Sequence, residues 1–432
     1  MSDILEQAQV AADRQNWPEL IQCLHQLLIQ EHQPLETENL EKAVSLAIEA
    51  LEWGDFQDRW EVAKILPNLG NEAIAPLIDI LENEDADTEQ RWFAARILGK
   101  FVKPSYPEVI EALAKLVKNS DEELSQIAAE TLGNFGPIAV ASLAALLLPE
   151  ESRQFATEAL AQIRCSESIT PLLSVVKDSQ VGVRFAAIEA LSSFHDSRIV
   201  PVLVVALNDP ATAVRKEAVR ALGVRGYLDE ELDLLNLLKP LLWDIRLEVC
   251  QQAAMAIGRL KTDAAAVVLF DLLRSATTPI SLQIETIRAL SWMETATALV
   301  YLQKALNQSD YNIKSTVCQE IIAVLGRWQK PELKAFAAKI LIDFIESNHP
   351  AVEDARIKQS LALALGQLGD IRAIDILIQL LGNPDKSVRL HGLSALKQLG
   401  AGEVRQKLEN LLKQDNLELG LREGIAIALE EW

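Results

Sequence analysis

Apolar positions along the chain fall three and four residues apart in short bursts, the period of a helix with one buried face, and the bursts themselves recur. The clearest unit is Val214-Arg215-Lys216-Glu217-Ala218-Val219-Arg220-Ala221-Leu222-Gly223. Aligned on its arginine, the pattern returns at Arg59, Arg91, Ser125, Arg153, Arg184, Arg215, Cys250, Gln283, Cys318, Lys358, Arg389 and Arg422, at intervals of 28 to 40 residues. Seven positions beyond each anchor stands a leucine, from Leu66 and Leu98 to Leu396 and Leu429, with Ile257 the one exception. Position +3 is often alanine (Ala94, Ala128, Ala156, Ala187, Ala218, Ala253), and position +8 is glycine at Gly99, Gly133, Gly223, Gly258, Gly326 and Gly366. Small residues at fixed places predict close helix approach, and the glycine suits a helix end or a tight backbone contact.

A second helical pattern precedes each anchored one. It reads Ile199-Val200-Pro201-Val202-Leu203-Val204-Val205-Ala206-Leu207 in one unit and begins Ile74-Ala75-Pro76-Leu77 and Ile169-Thr170-Pro171-Leu172 in others. Proline there fits a first turn or a kink. The turn between the two helices carries Asp55, Asp87, Asp121, Asp178, Asp209, Asp244, Asp354 or Asp385. These are predicted N-caps, since a carboxylate accepts from the free amides of the following helix. With the anchor arginines they predict an Asp–Arg ladder from unit to unit. A helix pair cannot bury its apolar stripe alone, so neighbours must stack. The expectation is an all-α chain: an α-solenoid of about twelve helix-pair repeats over residues 39–432, wound as a curved superhelix. Residues 1–38 lack the anchor and are expected to form an N-terminal helical cap on the stripe Leu20, Ile21, Leu24, Leu27 and Leu28. The long interval between Cys318 and Lys358 contains Glu346-Ser347-Asn348-His349-Pro350, predicted to be an extended turn.

Helix pairs with proline in the first helix and Asp-x(n)-Val-Arg-x-x-Ala-x-x-Ala-Leu-Gly in the second, as from Asp209 to Gly223, resemble HEAT repeats over residues 40–432. The short form of about 31 residues is similar to that of cyanobacterial phycobilin lyases of the E/F class, which are generally shorter than this chain. In length and layout the chain resembles the longer IaiH-type HEAT-repeat proteins, partners of the iron–sulfur scaffold protein IscA. That resemblance implies a protein-binding adaptor without catalysis of its own, meeting IscA in iron–sulfur cluster assembly or its regulation. The lyase resemblance implies the alternative, a chaperone or lyase handling a bilin and a phycobiliprotein subunit.

Composition narrows the partners. With 49% hydrophobic residues the chain is no candidate for disorder, and its formal charge is −21, of which residues 1–160 carry −18. Such a chain gains nothing from counterion release on phosphates and is repelled by anionic lipid, so neither nucleic acid nor a membrane surface is expected. A protein partner with a basic surface is. The longest nearly apolar run, Ile138 to Leu148, is too short to span a bilayer, which takes about 20 residues. Four scattered cysteines without a CxxC pair predict a reducing, cytoplasmic location. No phosphate loop, GxSxG or HExxH motif occurs, and the five histidines (His25, His32, His195, His349, His391) include no His-Glu dipeptide of the kind that binds iron in deoxyhypusine hydroxylases. No catalytic residue, metal site or resident cofactor is expected.

Candidate binding residues come from breaks in the repeat. Trp60 and Trp92 follow the anchors of adjacent units, in a column that is mostly polar elsewhere, as at Gln126, Gln154, Lys216, Gln251, Gln319, Gln359 and Glu423. Two readings stand: an exposed aromatic ledge, extended by Phe93 and Phe185 and suited to an interface hot spot, or rings buried against the cap. The anchor arginines read as a structural ladder rather than a stripe for an anionic ligand. Cys250 and Cys318 replace the arginine two units apart, roughly 20 Å at the usual spacing of stacked helices, beyond disulfide reach. They read as small core residues, or else as ligands of an iron–sulfur cluster shared with a partner. Trp53, Trp243, Trp292 and Trp328 are expected to lock repeat interfaces.

Overall fold

A computed structural model describes residues 2–30, 36–101, 106–119, 121–308, 315–347 and 349–432; His32 and Asn348 lie outside these. Among the described residues every regular element is helical, and no helix is long and apolar enough to cross a membrane. The chain folds as an all-α solenoid of helix pairs, in two compact units, residues 1–206 and 207–432.

The first unit opens with α1 (Ser2–Asp13) and α2 (Trp17–Gln30), which pack on each other and on α3 (Thr37–Trp53); α2 also packs on α4 (Phe56–Ile65). Leu20, Leu24 and Leu27 on α2 are fully buried there. The repeat continues with α5 (Ile74–Glu82) and α6 (Thr88–Leu98). From α4 onward the anchored helix of each repeat packs on the anchored helix of the next: α4 on α6, α6 on Glu122–Asn134, and so to Val181–Leu191. In the second unit the same stack runs from Thr212–Gly223 through Leu247–Leu260, Ile280–Met293, Ser315–Gly326 and Ala355–Leu368 to helix 386–399, which turns at Gly400 (φ +153°) into helix 401–412. The 40-residue interval is taken up by a long first helix, Pro331–Glu346, and by the connection after it, which includes the 3-10 turn Pro350–Glu353 and leads to the Asp354 cap.

Burial follows the repeat register. The +7 residue is completely buried in every repeat from Leu66 to Leu396, and Leu429 of the final helix is half-buried. The +3 alanines Ala94, Ala128, Ala156, Ala187, Ala218 and Ala253 are all fully buried. The +8 glycine answers a tight contact rather than a left-handed helix end. A Cβ at Gly223 would lie 2.5 Å from the Cβ of Ala256, and one at Gly258 would lie 2.8 Å from the backbone oxygen of Ala289. Each partner is the +6 residue of the next repeat, so glycine sets the spacing at which successive helices meet.

The inter-helix aspartates divide into two kinds. Asp55, Asp87, Asp121, Asp354 and Asp385 are N-caps as expected. Asp178, Asp209 and Asp244 are not: the caps are Gln180, Ala211 and Arg246, and each aspartate accepts from that residue's amide two positions on. That bond closes an Asx turn before the helix begins.

Candidate functional site

The capping box on α4 sets the aromatic site. Asp58 donates its amide to Asp55 Oδ1 (2.9 Å), while Asp55 donates its own to Asp58 Oδ2 (3.2 Å). With the helix start fixed, Phe56 and Trp60 stand one turn apart on one face. Their rings stack at 6.2 Å between centroids and 19° between planes. On α6, Trp92 and Arg96 are related by the same four-residue step. The Arg96 guanidinium carbon lies over both tryptophans, 5.0 Å from the Trp60 centroid and 5.1 Å from that of Trp92. Trp60 and Trp92 are half-buried, Arg96 is exposed and Phe56 is 57% exposed.

Phe93 does not extend this surface. One position further round the helix, its ring is 0% exposed and forms the floor, meeting Phe56, Trp60 and Trp92 edge-on at 5.5, 6.4 and 5.1 Å. Phe185 is half-buried three repeats away, separated by the exposed Gln126 and Gln154, and has no ring contact with the cluster among the described residues. Sequence reasoning missed Phe56 and Arg96; the i, i+4 pairs Phe56–Trp60 and Trp92–Arg96 were the available signal.

The anchor arginines hold the turns. Arg59 reaches Asp87 of the next repeat at 3.1 Å, Arg153 reaches Asp178 at 2.7 Å, and Arg215 grips Asp244 through Nε and Nη2 at 2.7 and 2.8 Å. The arginines also donate to backbone carbonyls of the turn that leads into their own helix. Arg153, Arg184, Arg215 and Arg389 each meet the carbonyl six residues upstream, at 2.7 to 2.9 Å. The guanidinium of Arg215 holds the Asp244 carboxyl below its ordinary range.

A family model for HEAT repeats matches residues 43–133, 74–152, 140–223, 200–284 and 351–430, well over half of the chain. The chain belongs to the HEAT-repeat family. No curated protein matches it in sequence. Among solved structures, Kap95p bound to RanGDP is similar with a TM-score of 0.56 at 11% identity, over 91% of this chain and 60% of that one. Importin beta aligns with a TM-score of 0.52 at 15% identity, over 98% and 63%. Kap95 in its complex with Nup1 gives 0.55 at 13%, over 97% and 66%. The chain thus spans about two thirds or less of the length of these proteins, and the likeness is one of fold.

Within the HEAT repeats, the substituted anchors behave as core. Cys250 donates its thiol to the Asp244 carbonyl at 3.2 Å, the same carbonyl six residues upstream that an anchor arginine takes elsewhere. Burial raises the Cys250 thiol pKa, and burial with the nearby Asp354 carboxylate pushes that of Cys318 up to about 12. Both side chains are buried, Cys250 at 4% and Cys318 at 1% exposed. Trp328 is buried as expected of an interface lock, but Trp292 is 48% exposed, and Trp53 (71%) and Trp243 (58%) stand in solvent because each falls at the turn ending a first helix.

Proposed function

We propose that this HEAT-repeat chain is a protein-binding scaffold, not an enzyme, whose first unit takes a basic segment of its partner on the Trp60–Trp92 ledge. The observation that carries the reading is Arg96: one guanidinium lies over both rings at about 5 Å, so the ledge already has the geometry that attracts a planar cation. The surroundings favour a second cation, since residues 1–160 carry −18 of the formal −21. A partner's arginine or lysine then competes with Arg96 for the rings, and the acidic field speeds the encounter. The similarly folded Kap95 chains are described with protein partners, RanGDP and Nup1, which supports the scaffold class by analogy of fold alone.

The first partner to test is IscA, on the strength of the resemblance to the IaiH-type proteins, and the four free thiols fit a reducing cytoplasm where cluster assembly proceeds. The test is calorimetric titration of the purified full-length chain with purified IscA. Saturable binding that is lost in the Trp60→Gln/Trp92→Gln variant supports the reading. Binding that ignores the two substitutions overturns the ledge; failure to bind IscA alongside stable capture of a phycobiliprotein subunit replaces the partner with that of the bilin-handling alternative.

A further inference from the structure

The geometry of the tryptophan ledge also bears on the kind of cation it takes. One point, the Arg96 guanidinium carbon, lies over both rings, 5.0 Å from the Trp60 centroid and 5.1 Å from that of Trp92. The two faces therefore border the same space. Phe93, 0% exposed, stands at 79° to Trp60 and 84° to Trp92 and fixes both from behind.

That space is wider than a guanidinium needs. A flat carbon centred on one ring would lie at van der Waals contact, about 3.5–4.0 Å, so Arg96 is centred on neither. Nor is Arg96 held in place by charge: its side chain enters no ion pair or hydrogen bond among the described residues. A rounder cation fits better. In a trimethylammonium group each methyl carbon stands about 1.5 Å from nitrogen and touches a ring carbon at about 3.5–4.0 Å. A nitrogen about 5 Å from both centroids thus brings methyl groups against both rings at once. A bare ammonium is compact and strongly hydrated, so it reaches the rings only by giving up water.

We propose that the ledge recognises an N-trimethylated lysine side chain of its partner, displacing Arg96. The proposal rests on the cation-binding reading above and names the cation. A lysine in a protein is favoured over a free quaternary amine by the shape of the site. Phe56, 57% exposed and stacked on Trp60, continues the aromatic surface outward, where a tetramethylene stem would lie. The ledge is open on that side, whereas sites for free small molecules enclose most of the ligand. The excess of acidic residues in 1–160 favours the fixed positive charge.

The test uses the full chain with nitrogen-15 in its tryptophan indoles, the Trp60 and Trp92 signals being identified from Trp60→Phe and Trp92→Phe. The probe is a short synthetic peptide of glycine and serine around one central lysine, made unmodified, trimethylated, or with the neutral tert-butyl isostere. The trimethylated peptide should move both signals saturably and bind about tenfold more tightly than the unmodified one, within the range that cation–π contacts supply. Arg96→Ala should bind it more tightly still. Movement of the same signals by the unmodified peptide with equal or higher affinity overturns the methyl preference and leaves the cation ledge standing. Signals indifferent to both peptides, in wild type and in Arg96→Ala, overturn the ledge as well. Equal binding of the tert-butyl isostere overturns the role of charge, and equal binding of choline overturns the assignment to a lysine side chain.

Discussion

Replacing Arg215 with methionine removes four hydrogen bonds at one point of the stack. The guanidinium donates to Asp244 Oδ2 and Oδ1 at 2.7 and 2.8 Å and to the carbonyls of Asp209 and Pro210 at 2.9 and 3.0 Å. The two charged side chains are only 11% and 8% exposed. Methionine keeps most of the packing but leaves the Asp244 carboxylate buried without its cation, so Arg215→Met should destabilise the second unit by about 3–5 kcal/mol. Asp244→Asn in the same chain keeps the bond from the Arg246 amide while deleting the stranded charge, and should restore about 1–2 kcal/mol of that loss. The pH dependence has a definite sign. Arg215 depresses the native Asp244 pKa, so its contribution is full above the unfolded carboxylate value of about 3.9 and fades as pH falls through the lower native one. Wild type and Arg215→Met should therefore differ most near neutrality and converge in acid. Urea unfolding followed by far-UV circular dichroism, with hydrogen exchange of the flanking helices to localise the effect, measures both. A loss under about 1 kcal/mol, as for an exposed ion pair, would refute the reasoning.

Two further consequences concern spacing and thiols. Gly258→Ala forces a methyl to within 2.8 Å of the Ala289 backbone oxygen and should cost about 1–3 kcal/mol through overpacking, whereas Gly402→Ala, with nothing within 4 Å, should be neutral or stabilising by up to about 1 kcal/mol; thermal melts of the two variants decide. A thiol reagent at mildly alkaline pH should modify Cys165 in the folded protein and reach Cys318, buried and with its pKa near 12, only after denaturant is added; fast native labelling of Cys318 contradicts its assignment to the core.

The repeat was legible because it is local and cyclic. A leucine placed seven residues after each anchor meets the same surroundings in every unit, so burial from Leu66 to Leu396 follows from register alone. The aspartates were half legible. Those four residues before the anchor are N-caps and those six before it close Asx turns, as Asp385 and Asp244 show. The spacing was in view, but its meaning depends on turn length. The second role of the arginines, on carbonyls six residues back, leaves no mark in side-chain pattern because its acceptors are backbone. Phe93 was misplaced because one helical position, about 100° of rotation, separates the ledge from the core.

The central claim is that a partner's cation takes the place of Arg96 on the tryptophan ledge. Its most direct test is the affinity of an arginine-rich peptide for the wild-type chain, for Arg96→Ala and for Trp60→Gln/Trp92→Gln, with melting temperatures alongside. The account predicts that Arg96→Ala binds more tightly than wild type. The double tryptophan variant should lose at least about tenfold, as for interface hot spots, while its melting temperature stays close to that of wild type. Weaker binding by Arg96→Ala, or full binding by the double variant, would contradict it.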